Sequence, residues 1–324
     1  MTAAFGFHPV QLSDRAAVEA ACAAAGTLSC QYNFANLYCL RDFYGTEIHT
    51  VGGALFVRQT RREPGKIAYL PPLNAGWDIL MGLAAADKRP WFLYGVTSGD
   101  AKGLSAAASG RFRFAEDRDW AEYLYRPEKL HTLSGGALSQ KRKDARICRR
   151  LYDGRLSVER IGPENAAEVM RFQQGWYAAR RSVSIPAGHL AGEDRAVGCA
   201  LEHFEALGLM GMLIRLDGKA AAYSYGSPVG NRAFDIIAQK ADPNVRYLYR
   251  VLFQEFVGAY CLPYEYVNAE EDLGLPGLRA LKATYHPALL LEKWRAEPIS
   301  APAGVYGDVT GHGPRAVPGE EGAV

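Results

Sequence analysis

Residues 210–241, MGMLIRLDGKAAAYSYGSPVGNRAFDIIAQKA, decide the fold. Apolar, β-branched and aromatic residues fill three runs, Met210–Leu216, Ala220–Tyr225 and Ala233–Ile237, each the length of a strand. Between the first two stands Asp217-Gly218, a dipeptide that closes a two-residue hairpin because both residues tolerate a positive φ. The spacing predicts neighbouring antiparallel strands.

The pattern extends in both directions. Upstream, a strand at Leu156–Ile161 leads through Pro163, suited to a first helical turn, into a helix towards Ala179. A second helix follows over Glu193–Leu207, with Gly208 as its stop. Downstream come a helix from Arg246 to Tyr260, a strand at Glu265–Val267, a helix opened by Pro276 and a final strand at Leu289–Trp294. The first half reads as a weaker copy. A short strand lies near Phe5, an Ala-rich helix covers Asp14–Ala25, and strands follow at Glu47–Val51, Ala54–Gln59 and Ile67–Leu70. Pro71-Pro72 breaks the chain before a helix ending near Lys88. The strand Trp91–Val96, a small-residue helix and the segments Arg111–Phe114 and Trp120–Tyr125 complete that half. The expected fold class is α/β (α+β), with mixed sheets and helices on their faces. The expected units are residues 1–154 and 155–297, with 298–324 a Pro- and Gly-rich tail too poor in apolar residues to fold.

Bulk composition sets limits. The chain has 324 residues, 48% hydrophobic and 22% charged, enough for two cores and unlike a disordered protein. Thirty-seven basic side chains stand against 35 acidic ones, so polyanion binding must come from local clustering. Cys22, Cys30, Cys39, Cys148, Cys199 and Cys261 are scattered, without the spacing of a zinc site or a disulfide framework. No basic segment followed by an apolar run opens the chain, and the longest apolar stretches are too short to span a bilayer. A cytoplasmic protein is expected, touching a membrane only peripherally.

Two segments carry a family resemblance. One runs Tyr264-Glu265-Tyr266-Val267-Asn268-Ala269-Glu270-Glu271-Asp272-Leu273-Gly274-Leu275-Pro276-Gly277-Leu278-Arg279, continuing through Lys282 to Tyr285-His286-Pro287. The other is Asp119-Trp120-Ala121-Glu122-Tyr123-Leu124-Tyr125, then Leu130, Leu133 and Gln140-Lys141-Arg142-Lys143. Both resemble the C-terminal domain family of phosphatidylglycerol lysyltransferases, and the likeness runs from about residue 5 to 295. The family is similar to tandem GNAT-like folds and to Fem-type enzymes. The resemblance implies an aminoacyltransferase that takes an aminoacyl group from aminoacyl-tRNA and gives it to a phosphatidylglycerol-like lipid or another hydroxyl or amine acceptor, with no cofactor and no metal. There are departures. Gln239-Lys240-Ala241 stands where the family often has Glu-Lys-Ala, Gly135-Gly136-Ala137 replaces a Gly-Lys-Lys-type turn, and Arg142-Lys143 replaces Arg-Asn. These leave the acceptor open.

Aminoacyl transfer starts from an activated ester, so positioning, acceptor deprotonation and oxyanion stabilisation are the tasks. Glu270 and Glu271 are candidates to bind the amino group of the aminoacyl moiety or to act as base, with Asn268 offering an amide. Asp272 suits either the substrate or the positive end of the following helix. Lys282 and Lys240 are candidates for a phosphate or the oxyanion. Arg279, one helical turn from Lys282, suits a phosphate or a pairing with the acidic loop. Tyr285 follows closely. Lys240 and Asp242 follow the third strand, where the acyl donor of a GNAT fold would lie. There Asp242-Pro243-Asn244-Val245-Arg246-Tyr247 lacks the glycines that let backbone amides approach a pyrophosphate, which disfavours coenzyme A. Arg142, Arg146, Arg149 and Arg150 share one stripe if helical, suited to tRNA phosphates or acidic headgroups, or equally to a solvated helix. Two other readings stand beside this one: a GNAT-type acyltransferase with another donor such as acyl-CoA, and a non-catalytic module that binds an anion or a protein partner.

Overall fold

Two seven-stranded sheets follow one plan and trade a strand. The computed structural model describes residues 6–178 and 187–299. The first half runs β1 (His8–Pro9), α1 (Arg15–Ala25), α2 (Phe34–Cys39), α3 (Arg41–Tyr44), β2 (Thr46–Val51), β3 (Ala54–Glu63), β4 (Lys66–Tyr69), α4 (Trp77–Asp87), β5 (Trp91–Val96), α5 (Ser98–Ala107), β6 (Phe112–Glu116), β7 (Glu122–Tyr125), α6 (Pro127–Thr132) and α7 (Ser139–Leu151). The second runs β8 (Leu156–Arg160), α8 (Ala166–Ala178), α9 (Ala187–Glu202), β9 (Met210–Leu216), β10 (Lys219–Val229), β11 (Ala233–Ala241), α10 (Leu248–Phe256), β12 (Tyr266–Glu271), α11 (Pro276–Ala283), β13 (Leu289–Leu291) and β14 (Trp294–Pro298).

Local chemistry accounts for many boundaries. Asp217 and Gly218 both take positive φ, 52° and 77°, and close the β9–β10 hairpin at Leu216↔Lys219. Thr97 and Asp100 form a reciprocal capping box that starts α5. Asn33 accepts from the Ala35 amide to start α2, and Pro276 opens α11 where its missing N–H is not needed.

The sheets are ordered β1-β2-β3-β4-β5-β14-β6 and β8-β9-β10-β11-β12-β7-β13. In each, four antiparallel strands are followed by one parallel junction, β4–β5 or β11–β12, and then by two antiparallel pairings. The sixth place in each sheet is filled by the seventh strand of the other half. Sheet membership therefore does not follow the division at residue 154, and α6 and α7 pack on the second sheet as well. The strand expected at Leu289–Trp294 is in fact two, β13 in the second sheet and β14 in the first, separated by Glu292-Lys293. Pro298, expected to begin the tail, ends β14 opposite Phe112. Residues 300–324 of the tail, Phe5 and Ala179 lie outside the described residues.

Three cores stack in layers. Strand alternation sends Ala54 and Phe56 to one face, packed with α4 and α5, and Leu55 and Val57 to the other. That second face meets α1, α2, α8 and α9, which also cover the facing side of the second sheet through Tyr223, Tyr225 and Val229. The outer side of the second sheet is closed by α6, α7 and α10. Fully burying one Leu or Phe stabilises by about 1.5–3 kcal/mol, so this shared central core binds the halves firmly. Among the described residues no helix is long and apolar enough to cross a membrane.

Candidate active site

The strands β11 and β12 pair only over Ala233–Asp235 and Tyr266–Asn268. Beyond that, β11 continues beside β10 alone, and the parting strands open a wall. Against this wall lies a cavity of roughly 320 Å³. Its first-half lining includes Gln31, Asn36, Tyr44, Arg62, Tyr94 and Trp120, and its second-half lining Glu193, Gln239, Lys240, Glu270, Glu271 and Lys282.

A bulge aims the acids. The register of β12 on β7 shifts between Asn268 and Glu271, and Glu270 takes φ 57°, unusual for a residue with a side chain. Its amide is held by Asn268 Oδ1 at 2.7 Å. Asn36 Nδ2 donates to Glu270 Oε1 at 2.9 Å and to Asp235 Oδ2 at 3.2 Å, which ties the two carboxyls together. Burial, then Glu271, pushes Glu270 up to about 8. Burial and Glu270 raise Asp235 well above the carboxylate range, and burial with Glu122 raises Glu271. Lys282 Nζ donates to the carbonyls of Ala269, at 2.5 Å, and Glu271. Burial lowers its pKa against the pull of Glu270 and Glu271. The cluster thus holds more carboxyls than ammonium groups, and it suits a ligand ammonium or a proton in transit.

Beneath it lies an ionic floor. Lys293 pairs with Glu122 at 2.7 Å, both side chains fully buried. Glu122 also accepts from Ser29 Oγ at 2.5 Å, Cys30 N at 2.9 Å and Asn268 Nδ2 at 2.5 Å. Burial would raise the Glu122 carboxyl, yet Lys293 and these donors hold it below its ordinary value. Two trios, Cys30–Asp235–Glu270 and Cys30–Glu122–Glu271, have ligand atoms within 4.8 Å of one another. In the second trio Glu122 is already committed to Lys293, and burial with the surrounding carboxylates raises the Cys30 thiol well above its usual value.

Of the residues expected from the sequence, Glu270, Glu271, Lys240 and Lys282 share the cavity. Lys240 pairs there with Glu193 at 2.7 Å. The others do not line it. Asn268 is fully buried, donating to Glu122 and the Leu28 carbonyl, so it braces the floor instead of meeting substrate. Asp272 is fully buried between Arg118 (3.0 Å), Tyr123 Oη (2.6 Å) and Arg279 (2.8 Å), and these partners overcome burial to hold it far below its normal range. Arg279 also pairs with Asp119, so both residues pin the turn before α11. Tyr285 is buried in the outer core, with Arg250 donating to its hydroxyl and Lys141 Nζ 4.3 Å from its ring. Asp242 turns back on Asn244. Arg142 donates to the carbonyls of Leu133 and Gly135, and Arg149 pairs with Glu255 at 2.6 Å. Arg146 is exposed on α7, with Lys143 and Arg150 on the same stripe.

Sequence reasoning missed Asn36, Gln31, Arg62 and Asp235. A signal existed for two of them. Asp235 interrupts the apolar run Ala233-Phe234-Asp235-Ile236-Ile237, and a carboxylate in such a strand demands a reason. Asn36 sits among the aromatics of Tyr32-Asn33-Phe34-Ala35-Asn36-Leu37-Tyr38.

A duplicated mixed sheet with one parallel junction in each half, and a cavity lined from both halves, defines a tandem GNAT-like α/β protein. Residues 24–297 match the family described as phosphatidylglycerol lysyltransferase, C-terminal, and the chain belongs to that family. A conserved protein of unknown function from Bacteroides thetaiotaomicron is 30% identical, with a TM-score of 0.85, covering 90% of this chain and 99% of that one. The C-terminal domain of a protein described as a lysylphosphatidylglycerol synthetase from Agrobacterium fabrum shares the fold at 14% identity, with a TM-score of 0.62 and coverage of 90% and 93%. L-PGS from Bacillus licheniformis does so at 13% identity, with a TM-score of 0.63 and coverage of 91% and 93%. Among curated proteins, none matches the sequence.

Proposed function

We propose that the chain transfers an aminoacyl group from aminoacyl-tRNA to a hydroxyl of a phosphatidylglycerol-like lipid or a similar small acceptor, inside the cavity between the sheets. The observation that carries this reading is the carboxyl excess at one cavity, where Glu270 and Glu271 line the wall with Lys282 and Asp235 lies buried behind them, joined to Glu270 through Asn36. An aminoacyl ester brings an ammonium group, and Glu271, a carboxyl lining the cavity, suits it. Glu270, with its pKa raised to about 8 by burial and Glu271, suits the base that takes the acceptor's proton. The acceptor oxygen then attacks the ester carbonyl carbon, and the π pair moves onto the carbonyl oxygen. Collapse of the tetrahedral intermediate expels the ribose oxygen of the tRNA, which recovers the proton. Lys282 keeps the carbonyls of Ala269 and Glu271 in place and sets a positive charge beside the reacting centre. The exposed stripe Lys143, Arg146 and Arg150 is the surface for tRNA phosphates.

The test mixes the protein with a full set of charged tRNAs and vesicles containing phosphatidylglycerol, following deacylation and lipid-linked amino acid. Transfer from at least one tRNA is expected. If no tRNA is consumed, with lipid or with water-soluble acceptors, the proposal is wrong.

A further inference from the structure

The cavity has a neighbour of opposite character. A second cavity, roughly 490 Å³, shares Phe43, Tyr44, Arg62, Tyr94 and Trp120 with the first and adds Arg61, Glu63, Phe92, Asp117 and Arg295. Its charges are unevenly matched. Arg295 is met by Glu63 and Glu297, each at 2.7 Å, but Arg61 donates to the Asp42 carbonyl and Arg62 to the neutral Gln59 Oε1 at 3.1 Å. Among the described residues no carboxylate lies within ion-pair distance of Arg62. Glu63 is occupied by Lys66 and Arg295, while Asp117, in the same cavity, has its carboxyl raised by burial against the pull of Arg62, with which it forms no ion pair.

Arg62 is also held in place. Its Cζ lies 4.1 Å from the Tyr94 ring centre and 4.1 Å from that of Trp120, with Tyr44 at 5.5 Å. Two rings at that distance hold the guanidinium, and among the described residues only its Nη1 is committed, to Gln59. A planar fork held by two rings, short of a carboxylate, at the seam of two cavities is suited to an oxyanion that accepts two hydrogen bonds side by side. Of the cations expected from the sequence to take a phosphate, the two at the acidic cavity are engaged, Lys240 with Glu193 and Lys282 with backbone carbonyls.

We infer that Arg62 is a phosphate-binding residue, and that the second cavity seats a phosphate ester whose reactive end reaches into the acidic cavity. Tyr94 and Trp120 hold the guanidinium in place and Arg61 adds positive charge. The inference concerns binding alone, so it stands or falls separately from the proposed transfer reaction.

The experiment is calorimetric titration of the full chain at low salt with glycerophosphoglycerol, adenosine monophosphate, inorganic phosphate and, as neutral control, glycerol. At least one phosphate compound is expected to bind while glycerol does not. Arg62→Gln is expected to weaken that binding roughly tenfold or more, and Arg62→Lys, which keeps charge without the fork, to fall between. Tightest binding of glycerophosphoglycerol identifies a lipid headgroup, of adenosine monophosphate a nucleotide end, and equal binding of inorganic phosphate the anion alone. The inference is overturned if no phosphate compound binds, if glycerol binds equally well, or if Arg62→Gln leaves affinity unchanged. Should Arg62→Gln fail to fold, the Lys variant and the salt dependence of the wild type decide, and salt-independent binding would refute it.

Discussion

The fifth strands of the two halves, β5 and β12, carry the same irregularity and put it to different use. In β5 the register against the exchanged strand β14 shifts between Leu93 and Val96, and Gly95 takes φ 65°. In β12 the register against the exchanged strand β7 shifts between Asn268 and Glu271, and Glu270, at the matching position, takes φ 57°. Gly95 has no side chain, and Gln31 fills the space: a Cβ built there would lie 1.9 Å from Gln31 Oε1. Glu270 keeps a strained backbone and presents a carboxyl to the cavity. One framework therefore serves two purposes, admitting a neighbour in the first half and projecting an acid in the second. Left-handed backbone at a residue with a side chain costs about 1–3 kcal/mol, and such a cost is found where chemistry needs it.

The largest effect should come from the ionic floor beneath the β12 bulge. Lys293→Met strands Glu122 as a buried, unpaired carboxylate and is expected to lower stability by about 3–5 kcal/mol in urea unfolding. Adding Glu122→Gln should restore most of it, and no recovery would show that the pair is not the cause. Next, Glu270→Gln should reduce aminoacyl transfer roughly a hundredfold or more, as loss of a general base does, with little change in fold. The bulges themselves separate at a smaller scale. Gly95→Ala should destabilise by about 1–3 kcal/mol through overpacking and φ strain, whereas Glu270→Gly should not destabilise although it removes activity. Equal losses in both would dissolve the distinction.

A gentler effect is the pH dependence of stability. Glu270 titrates near 4.5 when unfolded and about 8 when folded, so between these values the native state holds the extra proton. Stability contributed by that group is therefore complete below pH 4.5 and declines as pH rises towards 8. Glu270→Gln should flatten this part of the profile, and an unchanged slope would assign it to another group. Smallest of all, alanine at Lys143, Arg146 and Arg150 should each move stability by less than about 0.5 kcal/mol. Together they should lower tRNA affinity and its salt dependence if that stripe holds phosphates.

What could be read from the sequence was what local chemistry controls. Asp217-Gly218 marked its hairpin, Pro276 its helix, and the acidic segment near Glu270 lay where the cavity is. The exchange of β7 and β14 could not be read, because Glu122-Tyr123-Leu124-Tyr125 has the pattern of a strand in either sheet and nothing local says which. Asn268 and Asp272 went astray for a related reason. Their partners, Glu122 and Arg118, lie about half the chain away and turn polar side chains into scaffold. Arg62 became notable only once Tyr94 and Trp120 were seen around it.

The traded strands also bear on how the chain can be taken apart. A cut in the loop between α7 and β8 would release two pieces, each with an open slot between its fifth strand and its outermost one. Unless its own seventh strand turned back into the slot, each piece would expose unsatisfied backbone along it. The two pieces should therefore rescue one another when mixed, and a reporter split at that loop would light up only on their reunion.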